Sequence, residues 1–171
     1  YLVSTALVIH TDAAGGASSK KTQGWGVVNL KTNEWARGSW PSYILGNTVH
    51  MGAKWGHRLS FLEGFTGVLA VPLWAGEIQE AGGAALMIDN IGFCYAHESG
   101  CSTDEVIWTL SKCLASLSEG LGVQVRVFHT GRRTNLGDKV ADDLSKGKTA
   151  QVMLDLPGSV DISARVSKRM L

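Results

Sequence analysis

Two short apolar runs in this chain each end in an aspartate. Leu7-Val8-Ile9 leads through His10-Thr11 to Asp12, and Ala84-Ala85-Leu86-Met87-Ile88 leads to Asp89. An apolar run that stops in polar residues or glycines has the signature of a buried strand reaching the edge of a sheet. A carboxylate there is carried by a rigid element to the rim of a core, where it needs water, a donor or a cation as its partner. If further acids reach the same rim, the rim is a site for a hard cation.

The segments between and around these runs supply the rest of the architecture. Gly24 to Leu30 reads as a strand, Lys31-Thr32-Asn33 as a turn, and Glu34 to Trp40 as the antiparallel return. Ser42 to Arg58 carries no clear period. From Ser60 to Gln79 the period becomes helical, with Leu62, Phe65, Leu69, Leu73 and Trp74 on one face, Ser60 as N-cap and Pro72 as a kink. Ile91 to His97 predicts a short helix. Thr103 to Glu119 predicts a longer one capped by Ser102 or Thr103 and stopped by Gly120 and Gly122. Val123 to His129 alternates as a strand, Gly131 to Asn135 is a polar loop, and Leu136 to Lys146 is a final helix. The order β-β-β-α-β-α-α-β-α predicts an α/β domain over residues 1–150, a mixed five-stranded sheet flanked by helices. Residues 151–171 read as a weakly structured C-terminal extension.

With 171 residues, 44% of them hydrophobic and 18% charged, the chain has the composition of one folded domain rather than a disordered segment. Its net charge of +1 names no partner, although nine basic residues against five acidic ones from Arg126 onward are compatible with a polyanion. Cys94, Cys101 and Cys113 are odd in number and lack zinc or disulfide spacing, so an intracellular, reducing setting is expected. No apolar run is long enough for a membrane span, and no signal peptide is visible. The absence of a leading Met and the abrupt end at Arg169-Met170-Leu171 fit a piece of a longer polypeptide.

Four acids stand on the predicted elements: Asp12 in Thr11-Asp12-Ala13, Glu63 in Phe61-Leu62-Glu63-Gly64, Asp89 in Met87-Ile88-Asp89-Asn90, and Asp142 in Ala141-Asp142-Asp143-Leu144-Ser145-Lys146. This order and placement resembles the ribonuclease H family, and most closely the ribonuclease H domains of retroelement reverse transcriptases. The resemblance covers roughly Leu7 to Gly147. It implies a ribonuclease H-like fold and metal-dependent endonucleolytic hydrolysis of the RNA strand in an RNA–DNA hybrid, within a polypeptide that carries other domains. Two Mg²⁺ ions, or Mn²⁺, about 4 Å apart serve such in-line phosphoryl displacement, and both take oxygen ligands. The resemblance also implies roles. Asp12 would bridge both ions, Glu63 and Asp89 would hold one, Asp142 the other, and His129 would assist product departure. Ser60, Asn90, Arg132, Arg133 and Asn135 would contact substrate, Ser60 at a position that reads the 2′-hydroxyl. The basic helix that some relatives use as a substrate handle is missing, which leaves binding to Lys20, Lys21, Arg132, Arg133 or another part of the parent polypeptide.

Simpler roles compete at each position. Asp138 lies one turn before Asp142 on the same face, and either can be the fourth ligand. Ser60-x-x-Glu63 is also a capping box, Asp89 can cap the helix that follows it, and Asp143 reads as a solvated helix residue. A catalytically inactive ribonuclease H-like scaffold that binds nucleic acid or protein is the alternative function.

Overall fold

Strand alternation gives the sheet two unlike faces, and each face recruits its own helix. The computed structural model describes residues 6–15, 24–44, 55–131 and 135–166, with backbone alone for 55–58. Strands β1 (Leu7–Ala14), β2 (Gly24–Asn29) and β3 (Glu34–Ser39) form an antiparallel meander. Helices α1 (Trp55–Leu73) and α2 (Ala75–Ala81) lead to β4 (Gly83–Ile88), which pairs parallel to β1. Helices α3 (Ile91–Ser99) and α4 (Glu105–Leu121) lead to β5 (Gln124–His129), parallel to β4. Helices α5 (Leu136–Ser145) and α6 (Thr149–Asp155) and strand β6 (Val160–Asp161) follow. The result is an α/β fold on a six-stranded mixed sheet of order β5-β4-β1-β2-β3-β6.

The sixth strand corrects the expectation of five. β6 is two residues long, too short to show alternation in sequence, and adds to the β3 edge through Val160 N–H to Asn33 O (2.9 Å) and Ile162 N–H to Trp35 O (2.8 Å). The stretch expected to be weakly structured therefore holds a helix and a strand. Ile162 is buried in the core, and Ser159 accepts a hydrogen bond from the Trp35 indole.

On one face Leu7, Ile9, Val27, Leu86 and Ile88 pack against Leu62, Leu69 and Ala70 of α1, with Phe93 and Leu114 of α3 and α4 in the same core. On the other, Val28 and Trp35 meet Val140, Ala141 and Leu144 of α5 and Val152 and Leu156 of α6. Helix α1 starts at Trp55 rather than Ser60, so Ser60 lies more than a turn inside the helix and caps nothing. Pro72 sits in its last turn, the helix stops at Leu73, and α2 departs at 77°. Asp104 is the N-cap of α4 in place of Ser102 or Thr103, its Oδ1 accepting from Val106 N–H (2.9 Å) and Ile107 N–H (3.1 Å). Among the described residues no single helix is long and apolar enough to cross a membrane.

Candidate active site

Parallel pairing brings the first two acids together. The β1–β4 ladder ends at Thr11 opposite Ile88, and the β4–β5 ladder at Ile88 opposite His129. Asp12 and Asp89 are each the next residue outward, on neighbouring strands at the carboxyl edge. β1 is also where the sheet switches direction, with the meander on one side and the parallel strands on the other, the position at which open α/β sheets form ligand crevices. β1 continues past the parallel ladder to Ala14, so Asp12 lies within the strand, held by its antiparallel pairing with Gly26 of β2.

Gly26 lets α5 close over this edge. A Cβ there would stand 2.7 Å from Ala141 O and 2.8 Å from Ser145 N and would collide with the Leu144 side chain, so α5 lies directly on the β2 backbone. Gly137 plays the same part at the other end of the helix, where a Cβ would run into the His10 ring. Asn135 caps α5 by accepting from Asp138 N–H (2.9 Å). Two carboxylates a helical turn apart then face β1, and their partners differ. Asp138 receives His10 Nδ1 on Oδ1 (2.8 Å) and the Thr130 hydroxyl on Oδ2 (2.5 Å), all three groups being buried. Asp142 is chelated by Lys146, whose Nζ lies 2.7 Å from Oδ1 and 2.9 Å from Oδ2. Ser145 donates to Asp12 Oδ2 (2.5 Å).

Glu63 approaches from the opposite face. It is 2% exposed on α1, and its helix is tied to the β4 edge where the Asn90 amide donates to Ser60 Oγ (2.8 Å). The Asn90 carbonyl oxygen caps α3 by accepting from Phe93 N–H (2.8 Å), so the cap is Asn90 and not Asp89. Burial, with the Glu63, Glu98 and Asp89 carboxylates adding negative potential, pushes the Cys94 thiol up to about 12. Cys94 thus registers Glu63 and Asp89 in one neighbourhood. His129 Nε2 stands 3.5 Å from Asp89 Oδ1 and is half exposed.

Asp12, Asp89, Asp138 and Asp142 line one cleft with Thr11, Thr130 and Gly131. Its volume is about 10 Å³, room for one water-sized species. Glu63 does not line it. Ser60 and Asn90 line a separate groove of about 190 Å³ with Phe93 and Asp104, and Asn135 serves as a cap. Arg132, Arg133, Lys20 and Lys21 lie outside the described residues. A larger groove of about 630 Å³ between α1 and α4 is lined by Phe65, Val68, Leu69, Pro72 and Leu117 and, among the described residues, by no carboxylate. Asp143 is not a solvated residue: it is 1% exposed and paired with Lys139 at 3.2 Å, and Lys139 also bridges to Asp155.

Reading the sequence missed His10, Thr130, Ser145 and Lys146. The signals were present in their spacing, His10 two residues before Asp12 on the same strand face and Ser145 and Lys146 three and four after Asp142 on one helix face. The cleft is lined by four carboxylates and two threonine hydroxyls, oxygen donors of the kind a hard divalent ion takes. Among the described residues no three His, Cys, Asp or Glu side chains converge into a ready-made cation cage, and Asp12 and Asp142 are turned instead to Ser145 and Lys146. No protein-family model matches the chain, and no curated protein matches it at a significant level.

Proposed function

We propose that this chain is a ribonuclease H-like nuclease domain that hydrolyses the RNA strand of RNA–DNA hybrids with divalent metal, as part of an intracellular, retroelement-type reverse transcriptase polyprotein. The observation that carries the reading is the convergence of Asp12, Asp89 and Asp142, from β1, the end of β4 and α5, on one cleft at the switch point of the sheet. Three acids separated by 77 and 53 residues in sequence meet where ligands bind in such sheets. Two bland roles are also gone: Ser60 is not a cap, so Glu63 belongs to no capping box, and Asp89 is not the cap of α3.

The residues divide the work as follows. Asp12, Asp89 and Asp142 would hold the metal, and Glu63, outside the cleft lining, would add negative charge nearby. Mg²⁺ or Mn²⁺ bound there supplies an activated water and charge stabilisation at the departing 3′-oxygen. Asp142 is the better fourth ligand because the groups on Asp138, His10 and Thr130, are buried with it, which makes Asp138 a brace for α5, whereas the Lys146 side chain on Asp142 is 43% exposed. His129, half exposed beside Asp89, would assist product departure. Ser60 and Asn90 bind one another and would present their groove to the strand being cut.

The test is cleavage of an end-labelled RNA–DNA hybrid in Mg²⁺ or Mn²⁺, with single-stranded RNA and duplex DNA as controls. The reading expects cutting confined to the hybrid and absent from Asp12→Asn. Binding of the hybrid without cutting would instead establish an inactive scaffold of the same fold.

A further inference from the structure

The cleft as it stands is too small for two ions, and two of its carboxylates are engaged by groups at the end of α5. Lys146 is the C-cap residue, and its ammonium sits against both oxygens of Asp142, at 2.7 and 2.9 Å, in the bidentate manner of a bound cation. Its neighbour Ser145 places a hydroxyl on Asp12 Oδ2 at 2.5 Å. Two consecutive residues of one helix therefore engage the two carboxylates that would flank a metal. Around them the cleft keeps a volume of about 10 Å³.

The two sides of the Lys146 pair differ in mobility. The Asp142 side chain is 11% exposed and fixed by its helix, whereas that of Lys146 is 43% exposed on a flexible four-carbon stem. A pair of this kind is weak in water, so the ammonium can leave without disturbing the helix. A divalent ion carries twice its charge and draws on several carboxylates at once, which the tethered ammonium cannot do.

We infer that Lys146 is a tethered counter-cation: it neutralises Asp142 in the metal-free protein and competes with divalent ions for that carboxylate. Lys146 thereby sets the metal concentration at which the site fills. This inference rests on the proposed reading of the cleft as a cation site.

The experiment is titration of the full chain with Mn²⁺, reading free Mn²⁺ by electron paramagnetic resonance. It compares wild type, Lys146→Gln, Lys146→Arg, Asp142→Asn and the Lys146→Gln/Asp142→Asn double variant. Lys146→Met serves as a second neutral variant, and thermal unfolding in metal-free buffer confirms that each is folded. Lys146→Gln and Lys146→Met should bind Mn²⁺ about two- to fivefold more tightly than wild type. Lys146→Arg should stay near wild type, and the gain should vanish when Asp142 is already Asn. Mn²⁺ binding by wild type with no gain in either neutral variant overturns the counter-cation role and leaves the metal site standing. No Mn²⁺ binding by any variant overturns both.

Discussion

The two faces of the sheet are built from different materials. The α1 face is an apolar core in which Ile9, Val27, Leu62, Leu86, Ile88 and Leu114 are buried completely, and Glu63 is its one buried carboxylate among the described residues. The α5 face has a far smaller apolar cluster. Of the buried residues of α5, Asp138, Asp142, Asp143 and Ser145 are polar. Apolar area holds the first face, with a contribution of about 25 cal/mol per Å² buried that is indifferent to the angle of contact. The second face depends on directional pairs: His10 with Asp138, Lys139 with Asp143, Lys146 with Asp142, and Ser145 with Asp12. Such pairs add little net stability but fix where each oxygen points. One face keeps the domain folded and the other positions the oxygens of the cleft, so damage to each should read out differently.

Damage to the apolar face should cost most. Leu86→Ala, at a fully buried β4 position, should destabilise the domain by about 3 kcal/mol in denaturant titration. The folded fraction should keep its metal response. A cost under about 1 kcal/mol would mean that this core is not what holds the fold. Next comes Gly26→Ala, which forces α5 off β2 and should cost about 2 kcal/mol. Because α5 carries Asp142, that variant should also lose metal-induced stabilisation, which Leu86→Ala should keep. His10→Ala removes a buried partner of Asp138 and should cost about 1–2 kcal/mol, with Asp142-dependent metal binding weakened less than by Gly26→Ala.

Smaller effects sharpen the comparison. Hydrogen bonding to Asp155, then the bond and charge of Asp143, hold the Lys139 ammonium above its ordinary pKa of 10.5 against the opposing pull of desolvation. The bridge therefore contributes in full at neutral pH and is lost as pH rises through the raised value. Lys139→Met should lower the unfolding midpoint slightly at pH 7, and the difference from wild type should shrink in strongly alkaline buffer. At the thiols no loss of stability is involved. Cys101 and Cys113 are exposed, whereas the buried Cys94 thiol is pushed up to about 12. Ellman's reagent at pH 8 should titrate two thiols in the native protein and three in denaturant.

What the sequence made legible follows the same division. β1, β4 and the helix bearing Asp142 were readable because apolar period is a local signal, and with them the gathering of Asp12, Asp89 and Asp142 at one edge, though not of Glu63, which stays outside the cleft lining. Asp143 looked solvated because burial by α6 and pairing through Lys139 to Asp155 depend on a contact across the helix pair that no local pattern encodes. Ser60 looked like a cap because it precedes the clearest apolar period, yet the helix begins five residues earlier, at Trp55. β6 is two residues of edge pairing and has no period to read. The competition between Asp138 and Asp142 was undecidable from spacing, since both occupy one helix face. It is their partners, His10 and Thr130 against Lys146, that tell them apart.

The measurement closest to the central claim is single-turnover cleavage of a labelled RNA–DNA hybrid. Wild type would be compared with Asp12→Asn, Asp89→Asn, Asp142→Asn and Asp138→Asn, each matched for folded fraction by thermal unfolding. The account predicts that wild type cuts only with divalent metal, that the first three variants are silent while folded, and that folded Asp138→Asn still cuts. Cutting by Asp12→Asn or Asp142→Asn at the wild-type rate, or no cutting by metal-loaded wild type, would contradict it.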